Sequence, residues 1–105
     1  MPNEFRNTPQ NLTAEMSLLG SQMLDARKID DVRDICRPAD FYSDVNGMIQ
    51  TALNKLRDGG SHVDSVLVAE QLTATGKLED CGGIHYLMEL LETVPHAGHA
   101  VHYAK

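Results

Sequence analysis

Six apolar residues between positions 45 and 56 recur with the period of an α-helix. They follow the spacing i, i+3, i+4, i+7, i+8, i+11 without a gap. The set consists of Val45, Met48, Ile49, Ala52, Leu53 and Leu56. Ser43 or Asp44 is suited to cap the start of this helix, and Gly59-Gly60 to end it. The apolar stripe of such a helix has to be covered by other elements, so we expect amphipathic helices that pack against one another.

An earlier helix is predicted to start near Asn11 or Thr13. Its apolar face recurs at spacings of four, three and four. This face consists of Leu12, Met16, Leu19 and Met23. Gly20 lies inside the helix, where glycine costs roughly 1 kcal/mol relative to alanine. We interpret Gly20 as a point of close approach by another helix.

A short second helix is predicted from about Lys28 to Cys36, before Pro38. Its apolar stripe consists of Ile29, Val32, Ile35 and Cys36. The connector that follows brings Phe41 and Tyr42 together in sequence. One of these aromatic side chains is expected to fill the core.

The helix after residue 60 is predicted to be capped by Asp64, to run to Thr75 and to end at Gly76. The apolar run 65–69 taken alone also fits a buried strand. Only the residues that follow it favour a helix.

A further helix is predicted after Gly82-Gly83, ended by Pro95. Its apolar face is expected to contain Ile84, Leu87, Met88 and Leu91, widened by Leu90 and Val94. A last helix is expected to begin near Ala97.

The fold class that follows is all-α, a compact orthogonal bundle of five to six short helices. The 105 residues include only two Phe, three Tyr and no Trp, so the core must come from Leu, Ile, Val, Met and Ala. Such a core suits interdigitating helices better than a β-sandwich. Residues 1–10 are expected to form a flexible arm, and residues 11–105 the helical domain.

The charge balance argues against nucleic acid as a direct ligand. Nine Lys and Arg residues stand against fifteen Asp and Glu residues, a formal net charge of −6, and the basic residues form no run. Affinity for the phosphate backbone depends on clustered cations. The acidity suits a basic protein partner instead.

The sequence indicates a cytoplasmic protein. The N-terminal residues lack the apolar core of a signal peptide, and no apolar stretch is long enough to span a bilayer. Cys36 and Cys81 lie far apart without Cys-x-x-Cys spacing. They are expected to be free, partly buried thiols in a reducing compartment.

No motif for nucleotide hydrolysis is present. The only Gly-Lys pair, Gly76-Lys77, is followed by Leu78 and lacks the first glycine of a P-loop. A Gly-x-Ser-x-Gly nucleophile elbow is also missing. We therefore predict no catalytic residue and no cofactor, and a chain that is not itself an enzyme.

His96, His99 and His102 are the best candidates for metal ligands. On a continuous helix, their spacing of three would let adjacent pairs share an ion. No neighbouring Cys or paired carboxylate completes the coordination, so a solvated helical face is preferred and no metal is predicted. A small metal-binding protein is the alternative from a different functional class.

An ordered set of short signatures resembles the N-terminal domain of DnaB-type replicative DNA helicases. The set is, in chain order, Ala14-Glu15, Leu19-Gly20, Met23-Leu24-Asp25, Asp40-Phe41-Tyr42 followed by Ile49, Val63-Asp64, Leu72 with Gly76 and Leu78, Gly82-Gly83 with Tyr86-Leu87, and Val94-Pro95 leading to Tyr103-Ala104. The resemblance covers about residues 9–103. Three positions depart from it: Met16 stands where the family commonly has Gln, Asn46 where a His is common, and His99 where an Asn is usual.

The resemblance implies a helical domain that forms part of the collar on a hexameric helicase ring. In this family the domain continues into a helical hairpin, and a linker joins it to a motor domain that hydrolyses ATP. This chain is expected to lack both, so ATP and Mg belong only to the parent protein. The implied partners are copies of the chain, as a dimer or in a full-length hexamer, primase, and a helicase loader. No DNA or membrane contact is expected.

Contact residues of such a module are expected among its aromatic side chains. The candidates are Phe41, Tyr42, Tyr86 and Tyr103, because aromatic residues supply rigid contact area at low entropic cost. Each of them also has core packing as an alternative role. A stand-alone adaptor, for example of phage origin, that binds helicase or primase is the alternative within the same class.

Overall fold

Five α-helices and one 3-10 turn make up the regular structure of residues 9–94, the part of the chain that the computed structural model describes. The elements are α1 (Pro9–Leu24), α2 (Arg27–Ile35), a 3-10 turn (Pro38–Asp40), α3 (Asp44–Asp58), α4 (Ser65–Ala74) and α5 (Gly83–Thr93). No strand occurs within these residues. The prediction of an all-α bundle is confirmed. The helix expected near Ala97 and most of the arm expected at residues 1–10 lie outside the described residues.

The helix α3 lies at the centre of the bundle, where it contacts α1, α2, α4 and the 3-10 turn. Its predicted stripe faces the core, with Ile49 and Leu53 fully buried. Of the two capping candidates, Ser43 serves: its Oγ accepts a hydrogen bond from the Asn46 backbone N–H at 3.2 Å. After the helix, Gly60 adopts the left-handed conformation with φ of 73°.

The helices α1 and α5 pack with their backbones in close approach at Gly20. A Cβ added there would collide with the carbonyl oxygen of Leu90 and would lie 2.5 Å from Cγ2 of Val94. The Ser17 hydroxyl also donates to the carbonyl of Thr93 at 3.1 Å. The interpretation of Gly20 as a helix contact is therefore confirmed, with α5 as the neighbour.

The described part of α1 begins at Pro9, earlier than the predicted start at Asn11 or Thr13. Proline is tolerated in the first turn of a helix, because the N–H that it lacks has no partner within the helix there. The polar composition of residues 9–11 concealed this extension.

Two fully buried glutamines join α1 to α3. The amides of Gln22 and Gln50 exchange two hydrogen bonds of 2.8 Å each, and Gln50 Nε2 also donates to Asn54 Oδ1 at 3.0 Å. Gln22 Nε2 also donates to the carbonyl of Leu18. Burial of these amides is tolerated because their hydrogen-bonding groups are matched.

The helix α2 covers the core with Ile29 and Val32, but Ile35 is 75% exposed. The prediction that Ile35 belongs to the buried stripe is wrong. Ile35 follows Ile29 by six residues, which rotates it by about 120° around the helix. Two ion pairs tie the outer side of α2 to α3. They are Arg33 with Asp58 at 2.6 Å and Arg57 with Asp30 at 2.8 Å.

The segment that also fitted a buried strand is the helix α4. Asp64 caps it, its Oδ1 accepting a hydrogen bond from the Leu67 N–H at 2.8 Å. Val68 and Leu72 are its buried residues, and Gly76 follows its end with φ of 73°. The helical prediction, its cap and its end are confirmed.

The side of α5 that faces the core is narrower than the predicted one. Leu87, Leu90 and Val94 are buried, whereas Ile84 and Met88 are exposed. The prediction that Ile84 and Met88 face the core is wrong. Close packing against α1 selects the row through Leu90 and Val94, and Met88 lies about 100° around the helix from Leu87.

Candidate protein interface

The connector between α2 and α3 presents Tyr42 to solvent and buries Phe41. Phe41 is 4% exposed and Tyr42 is 44% exposed. The 3-10 turn fixes this arrangement, because Asp40 Oδ2 accepts the Arg37 N–H at 2.8 Å and the Phe41 N–H donates to Pro38 O at 3.3 Å. One connector aromatic fills the core, as expected, and in this conformation Phe41 offers no surface to a partner.

The Glu15 carboxylate of α1 holds the backbone of this connector. It accepts hydrogen bonds from the Tyr42 N–H at 2.5 Å and from the Ser43 N–H at 3.4 Å. It also accepts the Asn46 side-chain amide at 2.9 Å. Hydrogen bonds to a carboxylate are stronger than those between neutral groups. Glu15 therefore fixes the backbone from which Tyr42 projects.

Tyr86 of α5 joins the same network. Its hydroxyl donates to Asn46 Oδ1 at 2.5 Å, and its ring is half-buried against the core. Burial raises the pKa of the Tyr86 phenol above its ordinary value. Two of the predicted contact residues, Tyr42 and Tyr86, are thus connected through Glu15 and Asn46.

The other predicted site residues fall elsewhere. Tyr103 and the three histidines His96, His99 and His102 lie outside the described residues. Among residues 9–94, no group of three or more His, Cys, Asp and Glu side chains is placed to hold a metal ion.

Both cysteines are free thiols. Desolvation by burial raises the pKa of Cys36 and of Cys81, which keeps each in the protonated, weakly nucleophilic form near neutral pH. The Cys81 thiol contacts Met48 Sδ at 3.8 Å and packs in the core. These thiols act as packing groups.

A shallow apolar groove of about 400 Å³ runs between α4 and α5. Its lining consists of Val66, Ala69, Glu70, Thr73, Ala74 and Ile84. Val66 is 58% exposed and Ile84 is 40% exposed. Met88, one turn after Ile84, is 48% exposed. Exposed apolar side chains that gather in this way are typical of protein contact sites.

This groove was not predicted, although the sequence contains a signal for it. The residues from Val66 to Ala69 are four consecutive apolar residues, and successive helical positions are 100° apart. Such a run encircles the helix, so at least one of its members has to face away from the core.

A second groove, of about 270 Å³, lies between α3 and α4. Its floor includes Met48 and Leu72, and Lys55 and Lys77 stand among its lining residues. The hydroxyl groups of Thr51 and Thr75 in the same lining donate to backbone carbonyls of their own helices. The remaining polar side chains of the lining are those of Lys55, Gln71 and Lys77.

The family model for the DnaB-like helicase N-terminal domain matches residues 7–105. The chain belongs to this family. The family was identified correctly from the ordered signatures.

Relatives of this DnaB-like domain are full replicative helicases. The chain is 37% identical over 100 residues to the replicative DNA helicase DnaB of Geobacillus stearothermophilus, covering 95% of this chain and 22% of that protein. It is 39% identical over 99 residues to the DnaB of Mycobacterium leprae, covering 94% of this chain and 16% of that protein. The chain therefore corresponds to a small part of these helicases.

The DnaB-like fold is also seen in a solved structure. The N-terminal domain of DnaB helicase from Mycobacterium tuberculosis matches with a TM-score of 0.79 and 40% identity, covering 89% of this chain and 67% of that chain. No helix within the described part of the chain is both long enough and apolar enough to cross a membrane.

Proposed function

We propose that this DnaB-like domain is a protein-interaction module of a replicative DNA helicase. It associates with copies of itself in the collar of the helicase ring, and it recruits primase or a helicase loader in the cytoplasm. The observation that carries the proposal is the fixed aromatic surface at Tyr42. Its backbone is held by the Glu15 carboxylate, and the same carboxylate is linked through Asn46 to Tyr86.

A rigid aromatic side chain suits this role on physical grounds. Interface residues that dominate binding energy are enriched in Tyr and Trp, which lose little conformational entropy on binding. Here the hydrogen bond from the Tyr42 backbone has already reduced the freedom of the segment before a partner arrives. The surface is ready for contact without refolding.

ATP hydrolysis and DNA unwinding belong, in this proposal, to the motor segment of the parent helicase. The DnaB-like domain contributes assembly and recruitment, and requires neither ATP nor Mg for its own contacts.

The proposal is tested by the change Tyr42→Ala in the full helicase. Primase binding is measured by calorimetry, and ring assembly by mass measurement across a concentration series. We expect primase affinity or ring stability to fall about fivefold to thirtyfold, equivalent to about 1–2 kcal/mol, because an aromatic contact is lost.

The matched control is Ile35→Ala, which removes a large exposed apolar side chain from the end of α2. This change should leave both measurements near wild type. Unchanged binding and unchanged assembly in Tyr42→Ala would refute the role of this surface.

A further inference from the structure

The groove between α4 and α5 is apolar beyond what the core requires. The helix α4 already buries Val68 and Leu72 in the core, and α5 buries Leu87 and Leu90. Val66 and Ile84 lie in the groove in addition to these residues. Their apolar surface stays in contact with water in the isolated domain, and a partner that covers it gains the corresponding burial energy.

The α4 side of the groove carries an acidic residue. Glu70 follows Val66 by four residues on α4. Residues four apart lie next to each other on a helix surface. Glu70 lines the groove itself, and no Lys or Arg is among its described lining residues. The groove therefore combines an apolar floor with a negative rim.

A second copy of this chain is poorly suited to such a rim. The formal net charge of the chain is −6. Four described arginines each form an ion pair with an aspartate of their own chain, namely Arg27, Arg33, Arg37 and Arg57. Two copies that met at this groove would bring mainly like charges together there, which disfavours the groove as the surface of self-association.

The shape of the groove indicates the backbone of its occupant. It lies between two helices, and the described residues contain no sheet edge that an extended peptide could join. Grooves of this kind accept amphipathic helices through apolar anchors spaced i, i+3 or i+4, and i+7.

We propose that the groove between α4 and α5 binds a cationic amphipathic helix of a partner protein. Its apolar side chains contact Val66 and Ile84, and a flanking Lys or Arg side chain pairs with Glu70. This inference rests on the proposed function as an interaction module, and it names the chemistry of one partner.

The first experiment uses a synthetic, fluorescently labelled helical peptide with a leucine stripe and lysine flanks. Its binding to the chain is followed by fluorescence anisotropy near physiological salt. The comparison peptide carries the same leucine stripe with glutamate in place of lysine. We expect the lysine peptide to bind at least about tenfold more tightly, because only its charges complement the rim.

The second experiment places the contact in the groove. The double change Val66→Ser with Ile84→Ser should weaken the lysine peptide about tenfold, because apolar contact area is lost. Ile35→Ser, which alters an exposed isoleucine outside the groove, should leave binding unchanged. Far-ultraviolet circular dichroism checks that each variant remains folded. Equal effects of the groove variant and the control variant would overturn the proposal.

Charge reversal gives the sharpest test. Glu70→Lys should reverse the preference, so that the glutamate peptide binds more tightly than the lysine peptide. An unchanged preference would overturn the proposal.

Sedimentation of the Val66→Ser and Ile84→Ser variant supplies another test. If this variant lost a dimer but kept peptide binding, the groove would be an interface between copies of the chain instead.

Failure here is distinguishable from failure of the proposed function. The collar and recruitment role is tested at Tyr42 with the full helicase, whereas the groove is tested with peptides on α4 and α5. A negative peptide result together with a positive Tyr42 result would reject only the groove.

Discussion

Asn46 is almost completely buried and lies between a carboxylate and a phenol. Its amide nitrogen donates to Glu15, and its carbonyl oxygen accepts the Tyr86 hydroxyl. The side chain thus uses a donor and an acceptor at once to join α1, α3 and α5. Buried polar groups that lose a partner cost about 1–3 kcal/mol, so this residue fixes how the three helices meet.

Tyr86→Phe tests this network through its pH dependence. Burial raises the phenol pKa in the folded state above its ordinary value of 10. The folded state therefore retains its proton over a range where the unfolded state loses it. The resulting stability is fully present below pH 10 and is lost as pH rises through the higher folded pKa.

We expect the free energy of unfolding of the wild type to fall above pH 10, and the fall to be shallower in Tyr86→Phe. Urea unfolding at a series of alkaline pH values measures both slopes. Near neutral pH the variant should also be about 1 kcal/mol less stable, because the hydrogen bond to Asn46 is removed. Identical pH slopes in the two proteins would contradict this account of Tyr86.

At the scale of the elements, the contact of α1 with α5 depends on the absence of a side chain at Gly20. The nearest obstacles to an added Cβ are backbone atoms of Leu90 and a methyl group of Val94. Backbone atoms cannot move aside without displacing the helix. The two helices therefore keep their spacing only while this position remains glycine.

Gly20→Ala should consequently destabilise the domain, although alanine is the better helix former. We expect the cost of overpacking to lie at the upper end of about 1–3 kcal/mol, because backbone atoms obstruct the added Cβ, and this outweighs the gain of about 1 kcal/mol in helix propensity. Thermal and urea unfolding measure the change. Gly59→Ala is the control, because its added Cβ has no neighbour nearer than 3.4 Å and its φ is −79°. A Gly20→Ala variant as stable as the Gly59→Ala control would refute the close contact.

The sequence predicted the elements better than it predicted which side of each element is buried. The periodic stripe of α3 and the caps at Ser43 and Asp64 depend on local chemistry, and they were predicted correctly. The buried side of α5 depends on where α1 packs. A helix with apolar residues at 84, 87, 88, 90, 91 and 94 has more than one candidate face. Packing against α1 determines which of these faces of α5 is buried.

Only part of the candidate interface was named from the sequence. Tyr42 was predicted from its residue type and lies exposed, whereas the groove at Val66 and Ile84 was missed. The buried pair of Gln22 and Gln50 was missed as well. Polar residues on a helix are ordinarily solvated, and only a matching amide on another helix makes their burial favourable. That match is a property of the assembled fold.

At the scale of the whole molecule, most of the buried apolar residues of the described part form one continuous cluster. It takes members from all five described helices, among them Leu19, Ile29, Ile49, Leu72 and Leu90. Each described helix therefore depends on the others for its buried apolar contacts. Loss of any one helix exposes apolar surface on the others.

We therefore expect cooperative, two-state unfolding of the domain. Urea transitions followed by circular dichroism, which reports helix content, and by tyrosine fluorescence, which reports the surroundings of the three tyrosines, should coincide. Adding the Gly20→Ala change should shift both transitions to lower urea by the same amount. Two separated transitions would show that part of the bundle is stable alone.

The meeting of α1 and α5 at Gly20 also has a mechanical consequence. Most helices touch through a layer of side chains, which can change rotamer and absorb a small displacement. At Gly20, α1 contributes no side chain to such a layer. Well-packed protein interiors also have low compressibility. We therefore expect a displacement of α5 to move α1 with it, rather than to be absorbed by local changes in side-chain conformation.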